Sequence, residues 1–281
     1  MRWLEVMGGS ARPVILLGTI DDGALHPSSV AQIGGAGAGG GEGARTPMPT
    51  GDVVSNGVTW TPVRSEDFTT PAAIGAFRTT YSSVELYVEG SGDGKYLGDQ
   101  TVSADDSMMD IHCHHIGSVD AGAAVAILNP SGDWDWIGGR FAIRFRADAS
   151  AVGYGSAFQL WPSNDVWAEG EMDFPEGGFD GGINLYHHRV GANPEVNYLV
   201  ASDLGAWSSW HTAVIEWRPG NSVRYYLDDV LVGQVTDPAQ VATTAHHWII
   251  QAASHDATAD GAPNSSSGHL QVDWFVAYAA T

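Results

Sequence analysis

The 281-residue chain is 43% hydrophobic and only 16% charged, and its 33 Asp and Glu against 12 Lys and Arg leave a net charge of -21. That balance disfavours nucleic acid and anionic membrane surfaces as partners and suits neutral or cationic ligands. The sole cysteine, Cys113, excludes an intrachain disulfide, and no apolar run has the length of a membrane span.

The opening "MRWLEVMGGSARPVILLG" is interrupted by Glu5, Arg12 and Pro13, so no signal peptide is legible in it. Residues 1–33 read as a short arm, too small to bury a core of its own. Residues 34–51, with "GGAGAGGGEG" followed by "ARTPMPTGD", read as a Gly/Pro-rich linker. From 52 to 281 the texture changes to short alternating runs separated by Gly, Asp, Asn and Pro, which predicts a single all-β domain.

Within it, "MDIHCHHIG" puts His112 and His114 on one strand face at His-x-His spacing. A zinc site needs a third ligand that the sequence does not place, so the pair reads as polar surface and no metal is assigned. In "GRFAIRFRAD", Phe141, Ile143 and Phe145 take one face while Arg140, Arg144 and Arg146 take the other. "HTAVIEWRP" alternates in the same way, "SVRYYLDDVLVGQV" reads as a hairpin hinged at Asp228-Asp229, and "HLQVDWFVAYA" suits a central strand buried on both faces. So many short strands in one body predict a two-sheet sandwich or jelly roll.

"GEMDFPEGG" crowds Glu171, Asp173 and Glu176 beside Pro175. Glu171 and Asp173, two apart, share a strand face, and a bulge at Phe174-Pro175 returns Glu176 to that face. Crowded carboxyls raise one another's affinity for protons, which gives the ionised and protonated pair that glycosidase chemistry needs. A solvated acidic face or a calcium loop is the alternative reading, and the flanks decide between them.

Those flanks, "WIGGRFAIRFRADASAVGYGSAFQLWPSNDVWAEGEMDFPEG", resemble the core of glycoside hydrolase family sixteen, the laminarinase, lichenase and agarase group. The similarity extends from "RSEDFTT" through "SSWHTAVIEWRPGNSVRYYLDDVLVGQV" to "LQVDWFVAYA", roughly residues 60 to 279. It departs from the family pattern at Asp228-Asp229, where Asp-Gly is usual, and at Phe275 and Ala277. The resemblance implies a concanavalin-A-like jelly roll with a cleft across its concave sheet. It further implies Glu171 as nucleophile, Glu176 as general acid/base, Asp173 as the residue tuning the nucleophile, and the bulged subgroup of laminarinases and galactan hydrolases. The implied partner is a β-linked glucan or galactan, with no cofactor required and a structural calcium admitted.

Flat aromatic faces stack on pyranose rings, which selects Trp161 and Trp167 beside the acids as substrate-binding candidates. Trp217, Trp248 and Trp274 read as core. In "GGINLYHHRV", Asn184, Tyr186 and His188 share one face and Leu185 and His187 the other; the family match favours His187 as the residue facing the cleft. Gln251 in "WIIQAAS" is expected on a concave-sheet strand, with a sugar hydroxyl as candidate partner. A polysaccharide hydrolase is expected to act outside the cell. Without a legible signal, the expected settings are extracellular or the surface of a phage virion, where residues 1–50 would anchor the chain to capsid or tail proteins. On a virion the jelly roll would bind cell-surface glycan, with catalysis weak or absent.

Overall fold

The alternation becomes antiparallel ladders, because side chains two apart point the same way and must find a common apolar surface. A computed structural model describes residues 15–21, 24–31, 46–87, 95–148, 150–254 and 261–281, the first two segments as backbone. The chain divides into two units, Leu4–Arg45 and a body that includes Thr46–Thr281. In the smaller unit, Ile15–Asp21 pairs antiparallel with Ala24–Ala31. Most of the expected arm and linker, including "GGAGAGGGEG", lies outside the described residues.

The body is an all-β jelly-roll sandwich. One sheet runs Val84–Leu86, Val119–Ile127, His246–Ser254, Tyr154–Pro162, Glu171–Gly178, Asn184–His188, Tyr198–Ala201. The opposing sheet runs Val53–Ser55, Val58–Glu66, Ser267–Ala280, Gly139–Ala147, His211–Arg218, Ser222–Leu227, Val230–Val235. Met108–Ile116 joins the layers, pairing with both Ser267–Ala280 and Val119–Ile127. Among the described residues no helix is long and apolar enough to cross a membrane.

Between the sheets lie Phe141, Phe145, Phe158, Trp217, Tyr225, Trp248 and Phe275, all buried in one apolar cluster. On the other side of Gly139–Ala147, Arg140 pairs with Glu216 at 2.6 Å and Arg144 with Asp273 at 2.8 Å. Trp274, expected as core like Trp217 and Trp248, is buried, and it packs in a second cluster with Trp60, Val214, Val276 and Tyr278. Its strand is apolar on both faces, so alternation alone does not say which side is the main core.

The hairpin departure at Asp228-Asp229 has a physical cause. Both residues take positive φ, 49° and 66°, as a two-residue turn matching strand twist requires. Asp tolerates that region, and the Asp228 carboxylate also accepts from His211 Nδ1 at 2.7 Å and from the Thr212 amide at 2.8 Å. Those bonds come from Asp228, so a glycine in place of Asp229 would keep both them and the turn.

Close backbone approach fixes Gly122 in Val119–Ile127. A Cβ there would stand 2.2 Å from the Ala252 carbonyl oxygen and 2.8 Å from the Ala253 Cα, with no flexible side chain to yield. Gly122→Ala is therefore expected to cost about 3–5 kcal/mol, lowering the thermal midpoint by roughly 10 °C. Gly51→Ala, with nothing within 4 Å, is the control and is expected to melt with the wild type.

Candidate active site

The strand Glu171–Gly178 lies between Tyr154–Pro162 and Asn184–His188. Met172 and Phe174 point into the core, which turns Glu171 and Asp173 to the opposite face. The pairing register shifts between Asp173 and Glu176 on one side, and between Ala157 and Gln159 on the other. The Phe174-Pro175 peptide in this step is cis. The shift sets Glu176 opposite Ala157 and Asn184, so the third carboxyl joins the other two. One row across the sheet reads Asn184, Glu176, Ala157, Gln251, Ala124; the next reads Tyr186, Asp173, Gln159, Ile249, Ala126.

All three acids are nearly withdrawn from solvent, at 3% exposure for Glu171 and Asp173 and 9% for Glu176. Burial raises the carboxyl of Glu171 to about 7, opposed by a hydrogen bond with Asp173 and by the neighbouring Trp167. Burial also lifts Asp173 well above its ordinary value, and the charges of Glu171 and Glu176 push it further. Glu176 is raised well above its ordinary value by burial and then by Glu171. Burial and mutual repulsion thus favour the protonated form at all three carboxyls, with Glu171 raised to about 7.

His188 lies opposite Glu171, with its Nδ1 2.8 Å from the Pro194 carbonyl and its Nε2 3.7 Å from Asp173 Oδ2. Burial lowers its pKa, so the ring is neutral, donates Nδ1–H to Pro194 and presents an unprotonated Nε2 to the acids. The expectation that His187 faces the cleft is corrected: His187 is buried among core residues, its Nδ1 2.6 Å from the Tyr225 hydroxyl. Burial drives its pKa down to about 3, so this neutral ring braces the strand from behind. Register decides the matter, since one position along a strand exchanges the faces. Asn184, Tyr186 and His188 are the residues beside the acids.

Trp161 lies on the acid face, two residues beyond Gln159, packed on the patch of Tyr96, Ala124, Ile249 and Ala253. Its indole donates to Asp165 Oδ1 at 2.8 Å, which fixes the ring plane. Trp167 occupies the short turn Trp167–Glu169 leading into the acid strand, its ring 5.3 Å from that of His188. The Trp167 N–H is buried near Glu171 without completing a hydrogen bond. Gln251 stands in the Glu176 row, half-buried.

Sequence reading missed Gln159, directly across from Asp173 and buried with its side-chain oxygen unpartnered. The alternation Ala157, Gln159, Trp161 was the available signal. It also missed Trp134, whose ring meets Tyr87 at 4.8 Å and His247 at 5.3 Å. That residue precedes a strand, where periodicity gives no face.

Glu171, Asp173 and His188 bring ligand atoms within 4.8 Å of one another. Two carboxylates and an imidazole suit a transition ion better than calcium, which prefers an all-oxygen shell.

No protein-family model and no curated protein matches the sequence. Solved structures do. The laminarinase from Rhodothermus marinus superposes with a TM-score of 0.65 at 19% identity, over 80% of this chain and 99% of that one. SCLam, a non-specific endo-β-1,3(4)-glucanase from family GH16, gives 0.66 at 15% identity over 85% and 98%. The endo-β-1,3-glucanase from Pyrococcus furiosus gives 0.62 at 15% identity over 83% and 99%. The body of this chain has the jelly-roll fold of the family sixteen laminarinases and endo-glucanases.

Proposed function

We propose that the protein is a retaining endo-glycosidase acting outside the cell on a β-linked polysaccharide, with β-1,3-glucan the favoured class and galactan the other. The observation that carries this reading is the face shared by Glu171, Asp173 and Glu176, where all three are buried and their carboxyls raised. The laminarinase fold supports the glucan class, and one such neighbour, from Zobellia galactanivorans, was solved with laminaritriose and laminaritetraose.

In this mechanism the Glu171 carboxylate attacks the anomeric carbon while Glu176 gives its proton to the departing glycosidic oxygen. The carbon–oxygen bond to the leaving sugar breaks as the ester to Glu171 forms. Glu176, now ionised, takes a proton from water, which attacks the same carbon and releases Glu171. Asp173, on the same face, tunes the ionisation of Glu171. Trp161 and Trp167 supply stacking faces, and Gln251 a hydroxyl partner, in line with Glu176.

The test is release of reducing ends from β-1,3-, β-1,4- and mixed-linkage glucans and from galactans, wild type against Glu171→Gln. Activity on a β-1,3-containing glucan, lost in the variant and with the anomeric configuration retained, is the expected result. Binding of a polymer without cleavage by either protein would overturn it and leave a glycan-binding jelly roll. The virion setting gains no support from the described residues.

The pH dependence has a definite sign. Glu171 must be ionised in the free enzyme, and its carboxyl is raised to about 7. Activity as kcat/KM is therefore expected to rise through about pH 7 and to fall again at higher pH, when Glu176 loses its proton. A profile flat from pH 5 to 8, on an assay scale of about one unit, would contradict the burial-raised carboxyl.

A further inference from the structure

On the opposing sheet the third ligand that "MDIHCHHIG" lacked is present. Met109, Ile111 and Cys113 of the strand Met108–Ile116 point into the core, as do Leu270 and Val272 of Ser267–Ala280. His112, His114 and His269 therefore lie on the outer face, with His269 directly opposite His112. The ring centroids of His112 and His114 are 3.9 Å apart, and those of His112 and His269 4.3 Å, with the rings nearly parallel.

The hydrogen bonds of this trio leave lone pairs free. His269 Nδ1 is 2.8 Å from Asp110 Oδ2, and His114 Nδ1 is 2.9 Å from the His112 carbonyl oxygen. Neither oxygen can donate when the carboxylate is ionised, so both rings donate Nδ1–H and leave Nε2 outside these two bonds. A carboxylate or carbonyl behind the ring is the arrangement that orients a metal-bound histidine and raises its basicity. His112 Nε2 meets the Ser267 hydroxyl at 2.8 Å, a partner that leaves its Nδ1 uncommitted or exchanges readily.

We propose that His112, His114 and His269 hold a divalent transition ion of the zinc or copper class on the outer face of the sandwich, away from the carboxylates. A His-x-His pair on one strand with a histidine opposite on its antiparallel neighbour puts three imidazoles on one side of a sheet, where turning the rings would bring them onto a tetrahedral ion. The stacked rings fan apart about their Cβ–Cγ bonds to bring the nitrogens onto it, and all three are partly exposed and able to do so. Imidazole donors select zinc, copper or nickel over calcium and magnesium. The fourth position stays open to water. Asp110 and Asp148, beside His269, and the net charge of -21 favour a cation there. The ion would clamp the strand Met108–Ile116 to Ser267–Ala280.

Equilibrium dialysis of the full chain against zinc chloride tests this, with metal measured by atomic emission. The wild type is expected to take up about one equivalent at micromolar zinc, and His269→Ala to weaken uptake about 100-fold or more. His188→Ala, which alters the carboxylate site, is expected to retain uptake. Copper-loaded wild type provides a readout independent of any variant's folding: nitrogen hyperfine structure in its electron paramagnetic resonance spectrum is expected. No uptake at about 100 µM zinc, uptake indifferent to His269→Ala, uptake lost only in His188→Ala, or a spectrum with oxygen ligands alone would each overturn the proposal.

Discussion

Glu176→Gln is expected to slow hydrolysis of an unactivated β-glucan by about 10²–10⁴-fold, while an aryl glycoside with a good leaving group still loses its phenol in a rapid first turnover. The reason lies in what Glu176 supplies. A sugar alkoxide leaves only with a proton, whereas a stabilised phenolate leaves without one. The first step on the aryl substrate therefore loses little, but the second step still needs a base to activate water. The ester on Glu171 should accumulate, giving a burst followed by slow turnover. A small anion that needs no base, such as azide, should restore turnover. Glu171→Gln should differ on every count, with neither substrate cleaved and no burst. Stopped-flow release of the phenol distinguishes the two variants. Equal losses on both substrates in Glu176→Gln would show that this carboxyl does not protonate the leaving group. The feature that sets up the contrast is burial, which raises the carboxyl of Glu176 well above its ordinary value and so favours the proton it must give.

The same burial should cost stability, in a direction that pH reveals. Each of the three carboxyls is raised above its ordinary value, so between the two values the folded chain keeps protons that the unfolded chain has released. Stability linked to these groups is thus fully present below the ordinary carboxyl range and is lost as pH rises through the folded values. For Glu171, raised from 4.5 to about 7, the loss is on the order of 3 kcal/mol. Glu171→Gln keeps the shape without the charge. It is expected to melt roughly 5–10 °C above the wild type at about pH 8 and together with it at about pH 4. Calorimetry at the two pH values checks this. A variant destabilised equally at both would show that the carboxylate contributes hydrogen bonds worth more than its burial costs. Gained stability with lost activity at one residue is the mark of a site held in a costly state for chemistry.

What local sequence determined is what two-residue periodicity can carry. Phe141, Ile143 and Phe145 found the core while Arg140 and Arg144 found Glu216 and Asp273, because alternate side chains on a strand leave on opposite faces. The acids were legible for the same reason, with Pro175 marking the irregularity that returns Glu176 to the side of Glu171. Tertiary structure decided whatever depends on register and on distant partners. The choice between His187 and His188 turned on the pairing of Asn184–His188 with the acid strand, and the local pattern allowed either face. Trp274 lay on a strand apolar on both sides, so only the packing of the sheets assigned it to the second cluster. His269 is far from His112 in the chain and meets it only because Ser267–Ala280 pairs with Met108–Ile116. The raised carboxyls of the three acids likewise belong to the folded chain, because exclusion of water sets them and no spacing of residues encodes it.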